Sequence, residues 1–158
     1  MSPEWAKPGA PRRGAQERST LPGVLQLTRV VWSAMVGHAY DGLPDEACGL
    51  FAGPPGTDRV TAFYPCRNAA GSSRVYTIDP KDHLRADRDA EGRGLEINGV
   101  MHSHTHTDAY PSPTDVAQAP DPAWHYVIVS LRDDAPTLRS YRLGDDQISE
   151  DVVSLTDR

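Results

Sequence analysis

An apolar run that ends in two histidines and is followed at once by prolines constrains this chain more than any other feature. The run LEINGVMHSH (residues 95–104) is typical of a buried strand, and the next segment, THTDAYPSPTD, holds another histidine, two aspartates and two prolines. Prolines interrupt strands and helices alike, so sheet pairing is expected to stop near His104. Side chains two apart on a strand share a face, so His102 and His104 point to the same side.

A third metal ligand is available where the chain next becomes helical. In SPTD, Ser112 suits a helix N-cap and Pro113 the first helical position, so Asp115 lies in the first turn. From there its carboxylate can turn back toward the two imidazoles. Three such ligands leave one position of a tetrahedral zinc ion open, which is the layout of a catalytic site. Glu46, at the start of the apolar run EACGLFAG, is available as a base.

The rest of the chain alternates between helix and strand patterns. Helices are predicted from Arg29, with Thr28 as N-cap, and from Pro80, with Asp79 as N-cap. Short apolar or alternating runs predict strands at residues 24–27, 46–53, 59–66, 74–78, 95–104, 124–131 and 137–143, with ISEDVVSL as a last edge strand. The pattern indicates one α/β (α+β) domain over residues 23–155, with a mixed sheet. It follows a disordered tail at residues 1–22, which is rich in Pro, Gly, Arg and Ser.

Composition disfavours several function classes. The net charge is -6 and no dense basic patch occurs beyond Arg12 and Arg13, so nucleic acid is not an expected partner. No apolar run approaches the roughly 18 residues of a membrane span, and the N-terminal residues lack the apolar segment of a secretory signal. Two cysteines are too few for a disulfide framework. We expect a cytoplasmic protein with reduced thiols and no membrane association, while a single Cys48–Cys66 bridge stays open.

The site residues together resemble the motif of a known family. Glu46, then His102-Ser103-His104, seven residues, Ser112, two residues and Asp115 match the JAMM pattern E…H-x-H-x7-S-x2-D at every position. The run EACGLFAG is similar to the strand E-x-C-G-x-x-x-G of the same family. The chain thus resembles the MPN+ (JAMM) zinc metallopeptidases over residues 24–143. The complete motif is far more specific than an isolated H-x-H.

The resemblance implies a role for each of these residues. His102, His104 and Asp115 would bind Zn²⁺. Glu46 would take a proton from the attacking water and pass it to the leaving amine, and Ser112 would donate a hydrogen bond to the developing oxyanion. The implied fold is a cytidine-deaminase-like MPN fold, in which helices flank a curved mixed sheet. Family substrates are typically amide or isopeptide bonds that follow the C-terminal glycines of ubiquitin or ubiquitin-like proteins.

Within the family, the compact form of the chain and the run HSHTHTDAYPSPTDVAQAPDPAW are most similar to a bacterial branch, the Mec-type peptidases. These act on ubiquitin-like sulfur carrier proteins that end in Gly-Gly and release cysteine from them, as a step of cysteine biosynthesis. The implied activity is therefore a zinc metallopeptidase with a sulfur carrier as partner. A deubiquitinase-like isopeptidase and a general small-peptide metallopeptidase are the alternatives.

Other interpretations of the same residues stay open. His106 extends the alternation to H-x-H-x-H and could be a ligand, although a strand need not continue past His104. Cys48 is better explained as a small buried side chain than as a nucleophile, because no basic residue is near it in sequence. A zinc deaminase would need H-x-E and P-C-x-x-C, and neither is present. Non-catalytic MPN scaffolds typically lose metal ligands, whereas this chain keeps the whole motif.

Overall fold

The computed structural model describes residues 23–144 and 147–157, so the tail predicted at residues 1–22 lies outside the described residues. In chain order the elements are β1 (Val24–Thr28), α1 (Arg29–Asp41), β2 (Cys48–Gly53), β3 (Arg59–Val60), β4 (Ala62–Cys66), α2 (Pro80–Gly92), β5 (Glu96–His104), α3 (Pro113–Ala117), β6 (His125–Ser130), β7 (Thr137–Gly144) and β8 (Gln147–Thr156). The strands form one mixed sheet in the order β3-β1-β8-β7-β6-β5-β2-β4. The predicted α+β domain is confirmed.

Both long helices begin at their predicted N-cap residues. The Thr28 hydroxyl accepts a hydrogen bond from the Val31 N–H at 3.1 Å, which starts α1. The Asp79 carboxylate accepts from the N–H groups of Lys81 and Asp82 and starts α2. Each cap satisfies backbone donors that have no partner inside the helix. Within the described ranges, every helix is too short or too polar to cross a membrane.

The sheet is strongly curved, and its two edge strands, β3 and β4, follow each other directly in the chain. β3 pairs in parallel with β1, β4 pairs antiparallel with β2, and Thr61 alone separates β3 from β4. The Thr61 N–H donates to the Ala52 carbonyl at 2.9 Å, and a Cβ at Gly53 would overlap the Arg59 carbonyl oxygen. The single strand predicted at residues 59–66 is therefore wrong, because its two parts pair with different neighbours. The result is a sheet that is nearly a barrel.

The last strand lies inside the sheet, so its prediction as an edge strand is wrong. Residues 147–151 of β8 pair antiparallel with β7, and residues 152–156 pair in parallel with β1. β8 thus lies between β7, its partner in a hairpin, and β1, the first strand of the domain. An alternating sequence predicts that a segment is a strand, but it does not state how many neighbours that strand has.

The strand predicted at residues 74–78 is also wrong. Within the described structure this segment makes one isolated bridge, to Asn68, and joins no strand of the sheet. Its backbone hydrogen bonds go to the loop after β4: the Ala69 N–H donates to the Thr77 carbonyl at 2.8 Å, and the Thr77 N–H donates to the Asn68 side chain at 3.0 Å. Tyr76 is nevertheless buried, which explains the strand-like apolar pattern of the segment.

The side chains of β5 alternate between two cores. Val100 belongs to the core that includes residues of α2, and Met101 belongs to the core that includes residues of α1. His102 and His104 continue the phase of Val100, and both are buried. The two histidines therefore lie on the α2 side of the sheet, at the carboxyl end of β5.

Candidate metal centre

Sheet pairing on both sides of β5 fixes the spacing of its two histidines. His102 lies in register with Cys48 of β2 on one side and with Ile128 of β6 on the other. Ser103 points to the opposite face, where its hydroxyl oxygen accepts a hydrogen bond from the Ala47 N–H at 2.7 Å. His102 and His104 are thereby held side by side on one buried face.

A capping box turns Asp115 back toward the histidines. The Asp115 N–H donates to the Ser112 hydroxyl oxygen at 3.0 Å, and the Ser112 N–H donates to Oδ2 of Asp115 at 2.8 Å. Pro113 occupies the first position of α3, as its fixed φ favours. Because the two hydrogen bonds are reciprocal, the carboxylate cannot swing outward without losing one of them.

The three predicted ligand atoms form a nearly equilateral triangle. Nε2 of His102 lies 3.1 Å from Nε2 of His104, and each of these nitrogens lies 3.2 Å from Oδ2 of Asp115. A tetrahedral zinc ion with donors at about 2.0–2.1 Å holds any two of them about 3.3 Å apart. Among the described residues, His102, His104 and Asp115 form the group of His, Cys, Asp and Glu side chains that could hold a metal ion.

The hydrogen bond behind His104 suits a metal ligand. Its Nδ1 donates to the Asp108 carbonyl at 2.7 Å, which leaves Nε2 as the nitrogen with a free lone pair. That lone pair is aimed at Nε2 of His102 and at a carboxylate oxygen of Asp115. A metal ion shared by the two ring nitrogens and the carboxylate oxygen would satisfy all three donor atoms at once. The donor set therefore fits Zn²⁺, which accepts nitrogen and oxygen ligands.

The charges of the three side chains are strongly coupled. Burial alone would raise the pKa of Asp115, but the two imidazoles and the Ser112 N–H outweigh burial and hold that pKa well below its usual value. Burial alone would lower the pKa of His104, but Asp115 and the Asp108 carbonyl outweigh it and raise that pKa. Asp115 is consequently an anion, as a metal ligand must be.

Glu46 lies beside this group as a buried carboxylate without a hydrogen-bond partner for one oxygen. The residue is 4% exposed, and its Oε1 has no partner among the described residues. Burial raises its pKa, the charges of His102 and His104 lower it less, and the charge of Asp115 raises it. Glu46 lies two residues before Cys48, which is in register with His102, so it is close to the metal-ligand group without being a member of it.

Sequence reasoning missed two residues that shape the site. The amide nitrogen of Asn68 donates to the carbonyls of Glu46 and Val75, at 3.0 Å each, and so anchors the loop after β4 to the segment that leads into β2. Tyr76 stacks on the ring of His102. The sequence NAAG after β4 signals a turn that begins at Asn68, but no local pattern indicates the contact of Tyr76 with a histidine that is far away in sequence.

The other side chains that the sequence offers as site residues are not members of the metal-ligand group. His106 is exposed and stands outside the metal-ligand group, and Asp108 forms an exposed ion pair with Arg132. Cys48 and Cys66 lie opposite each other on β2 and β4 as buried free thiols. Burial raises the pKa of Cys66 to about 12 and that of Cys48 further still. Neither thiol is therefore ionised at neutral pH, and neither has the reactivity of a nucleophile.

Comparisons with known proteins agree with the fold and the motif. Residues 28–144 match the family model for prokaryotic homologs of the JAB domain. The chain is 42% identical over 136 residues to the CysO-cysteine peptidase of Mycobacterium tuberculosis. The matched region covers 85% of this chain and 93% of the relative. It is 34% identical over 111 residues to the desampylase of Haloferax volcanii, covering 67% of this chain and 80% of the relative.

The fold is also found among solved structures. A JAB1/MPN domain protein from Archaeoglobus fulgidus superimposes with a TM-score of 0.56 over 84% of this chain and 98% of that protein, at 16% sequence identity. At this identity the likeness concerns the fold alone, and it confirms the predicted MPN architecture. The resemblance inferred from Glu46, the two histidines, Ser112 and Asp115 is likewise confirmed at the level of the family. The chain belongs to the JAB/MPN family, among its prokaryotic members.

Proposed function

We propose that this protein is a zinc metallopeptidase that hydrolyses the amide bond after the C-terminal Gly-Gly of a ubiquitin-like sulfur carrier protein and releases cysteine. The observation that carries the proposal is the triangle of His102, His104 and Asp115 donor atoms with the unpartnered carboxylate of Glu46 beside it. Here two ring nitrogens share one carboxylate oxygen and also lie 3.1 Å from each other, which favours a metal among the three donor atoms.

In this mechanism His102, His104 and Asp115 hold Zn²⁺. When bound, zinc supplies Lewis-acid polarisation of the scissile carbonyl and makes water more acidic. The three side chains would contribute a single negative charge, from Asp115, so they would not by themselves neutralise the two positive charges of Zn²⁺. The capping box of α3 keeps the carboxylate in position through the reaction.

Glu46 acts as the proton carrier. Its buried carboxylate accepts a proton from the attacking water and then delivers that proton to the nitrogen of the leaving group. The backbone of Glu46 is held on both sides, since its N–H donates to the Ser72 carbonyl at 2.8 Å and its carbonyl accepts from Asn68 at 3.0 Å. A base fixed in this way loses little entropy when the reaction begins.

Ser112 stabilises the oxyanion. Its hydroxyl oxygen already accepts the Asp115 N–H, so the hydroxyl proton is the part of the group that is available to a ligand. We assign that proton to the oxygen of the scissile carbonyl as it gains negative charge. Ser112 thus caps α3 and serves the reaction with two different atoms of one side chain.

The substrate class is supported by similarity and by chemistry. The mycobacterial relative is a CysO-cysteine peptidase by name, and the haloarchaeal relative is a desampylase. Glycines suit a reaction beside a buried metal site because they have no Cβ to collide with its walls. The body of the carrier is expected to supply most of the binding energy, so a short peptide should react poorly. We further propose a cytoplasmic location, which agrees with two free cysteines.

The test compares three substrates with the zinc-loaded protein: a carrier that ends in Gly-Gly-Cys, the same carrier ending in Gly-Gly-Ala, and free Gly-Gly-Cys. Mass spectrometry identifies the products, and zinc-loaded Glu46→Gln is the inactive control. We expect the first carrier to be cleaved after the diglycine and the tripeptide to react far more slowly. Equal rates for carrier and tripeptide would indicate a general small-peptide hydrolase. If no diglycine-tailed carrier is cleaved, the sulfur-carrier function is wrong.

The desampylase relative supports a second candidate, an isopeptidase that removes a ubiquitin-like protein from lysine side chains. The same site chemistry would serve, because the leaving group is again an amine. A carrier joined through its terminal glycine to a lysine side chain distinguishes the two functions. Preferred cleavage of this conjugate over the Gly-Gly-Cys carrier would favour the isopeptidase.

A further inference from the structure

One of the two histidines lacks the hydrogen bond that orients the other. Nδ1 of His104 donates to the Asp108 carbonyl at 2.7 Å, which fixes both the tautomer and the plane of that ring. Nδ1 of His102 is buried and has no hydrogen-bond partner among the described residues. Metal-binding imidazoles usually have such a partner on the second nitrogen. A different contact must therefore fix the plane of the His102 ring.

That contact is the phenol ring of Tyr76. The two ring centroids are 4.5 Å apart and the planes are inclined by 19°, which is a stacked arrangement. Tyr76 is 8% exposed, so its ring has little room to move. The next residue, Thr77, is held by two hydrogen bonds, from its N–H to the Asn68 side chain and from the Ala69 N–H to its carbonyl. The stacking surface is therefore anchored through the backbone of the next residue.

We propose that Tyr76 is a positioning residue for the metal centre, because its ring holds the imidazole of His102 in the plane that aims Nε2 at the other two ligand atoms. A half-turn of the imidazole about Cβ–Cγ would exchange Nε2 with Cε1 and remove the donor from the site. To make that turn the ring must pass through a plane perpendicular to Tyr76, where the stacked phenol blocks it. The proposal rests on the zinc site proposed above.

The consequence is measurable without substrate. If the Tyr76 ring is removed, all three ligands stay in the chain but His102 becomes free to rotate, so zinc binding has to order it. Loss of a group that orients a metal ligand commonly weakens metal binding by about 10- to 100-fold. A stacked contact is weaker than a hydrogen bond to a charged group, so we expect a loss near the lower end, about tenfold.

The experiment uses three variants of the full chain. Tyr76→Leu removes the ring, Tyr76→Phe keeps it, and Phe51→Leu removes a fully buried aromatic ring from the core on the α1 side, away from the metal centre. Zinc affinity is measured by competition with a chromogenic chelator. The visible spectrum of the Co²⁺-loaded protein reports the geometry of the ligands. Thermal unfolding of each metal-free variant tests whether it is folded.

We expect Tyr76→Leu to weaken zinc binding about tenfold and to alter the cobalt spectrum. Tyr76→Phe should restore both properties, and Phe51→Leu should leave both unchanged even though it lowers the unfolding temperature. If Tyr76→Leu does not fold without metal, Tyr76→Met replaces it under the same criteria.

Four results would overturn the inference. Tyr76→Leu with wild-type affinity and spectrum would show that the ring does not orient His102. An equal loss in Tyr76→Phe would assign the effect to the hydroxyl group. An equal loss in Phe51→Leu would indicate general loosening of the core. A wild-type protein that binds no zinc would overturn the proposed function as well, whereas the first three results would leave that function intact.

Discussion

The chain buries histidine beside aspartate in two regions, and the regions differ in which atoms the histidine ring nitrogens contact. In the candidate metal centre, Nε2 of His102 and Nε2 of His104 face each other. In the other region, which we call the His125 cluster, each ring nitrogen of His125 faces a carboxylate oxygen, with Asp151 and Asp58 at 2.8 Å. Arg142 also lies 3.0 Å from Asp58, and the Ser140 hydroxyl donates to Asp151 at 2.6 Å.

The comparison teaches that burial of histidine and aspartate does not by itself identify a functional site. In the His125 cluster both ring nitrogens of His125 contact carboxylates, and Nε2 also lies 3.0 Å from the Arg142 guanidinium. These contacts connect β6, β7, β8 and the loop before β3, so the cluster is explained as a structural tie. The candidate metal centre instead brings two ring nitrogens together, and buried atoms of Glu46 and His102 have no hydrogen-bond partner in the described structure. In the His125 cluster, Oδ1 of Asp151 also lacks a hydrogen bond, but it lies 3.8 Å from the Arg142 guanidinium. Unsatisfied groups in a well-packed protein call for a ligand or a catalytic role.

The largest expected effect tests the metal centre directly. Asp115→Ala should lose zinc and all activity, because it removes one of the three ligands and opens the capping box of α3. The matched control is His106→Ala, which changes an exposed residue two positions beyond His104 and should keep a full zinc content. Elemental analysis of both purified proteins measures the metal. An empty His106→Ala with a loaded Asp115→Ala would reverse the assignment of ligands.

The second prediction concerns the His125 cluster. Asp151→Asn should lower the free energy of unfolding by about 3 kcal/mol, because it leaves His125 and Arg142 without a buried counter-charge. Zinc affinity should not change. Asp157→Asn, at an exposed ion pair with Arg29, is the control and should have little effect. Urea denaturation of the metal-free proteins gives the stabilities. A loss of zinc in Asp151→Asn would mean that the two regions are coupled.

The third prediction separates metal binding from catalysis. Glu46→Gln should retain zinc and stability while turnover falls by about 10²-fold or more, since the proton carrier is removed but no metal ligand is. The conservative amide keeps the size of the side chain. Rates are measured with the diglycine-tailed carrier at saturating concentration. Wild-type turnover in a variant with full zinc content would exclude Glu46 as the base.

The smallest effect is a pH dependence that belongs to the His125 cluster alone. Burial would raise the pKa of Asp151, but His125, Ser140 and Arg142 outweigh burial and lower it. A lowered pKa in the folded state stabilises the protein above the unfolded-state value of about 3.9. That contribution is lost as the pH falls through the folded-state pKa, by about 1.36 kcal/mol for each unit of the shift.

The measurement is the difference in stability between metal-free wild type and Asp151→Asn as a function of pH. The difference should be constant from neutral pH to about 4 and should shrink below it. A difference that instead grows as the pH falls would show that Asp151 is protonated in the folded protein, and the description of the His125 cluster as an ionic tie would then be wrong.

The parts of the structure that sequence reasoning predicted correctly depend on neighbours in the chain. The caps Thr28 and Asp79 begin α1 and α2 as expected. The alternation of a strand puts His102 and His104 on one face, and the spacing of Ser112 and Asp115 sets up a capping box. Each of these features needs a few consecutive residues, so the sequence by itself determined the set of donor atoms and the local geometry that turns them inward.

The tertiary structure decided everything that depends on partners far away in sequence. β8 lies inside the sheet because β7 and β1 flank it, and residues 74–78 leave the sheet because Asn68 takes their hydrogen bonds. The stacking of Tyr76 on His102 likewise joins residues 26 positions apart. A backbone N–H group or an aromatic face can pair with many chemically equivalent groups elsewhere in the chain. Which partner it meets is decided only when the whole chain packs, because no local pattern records that choice.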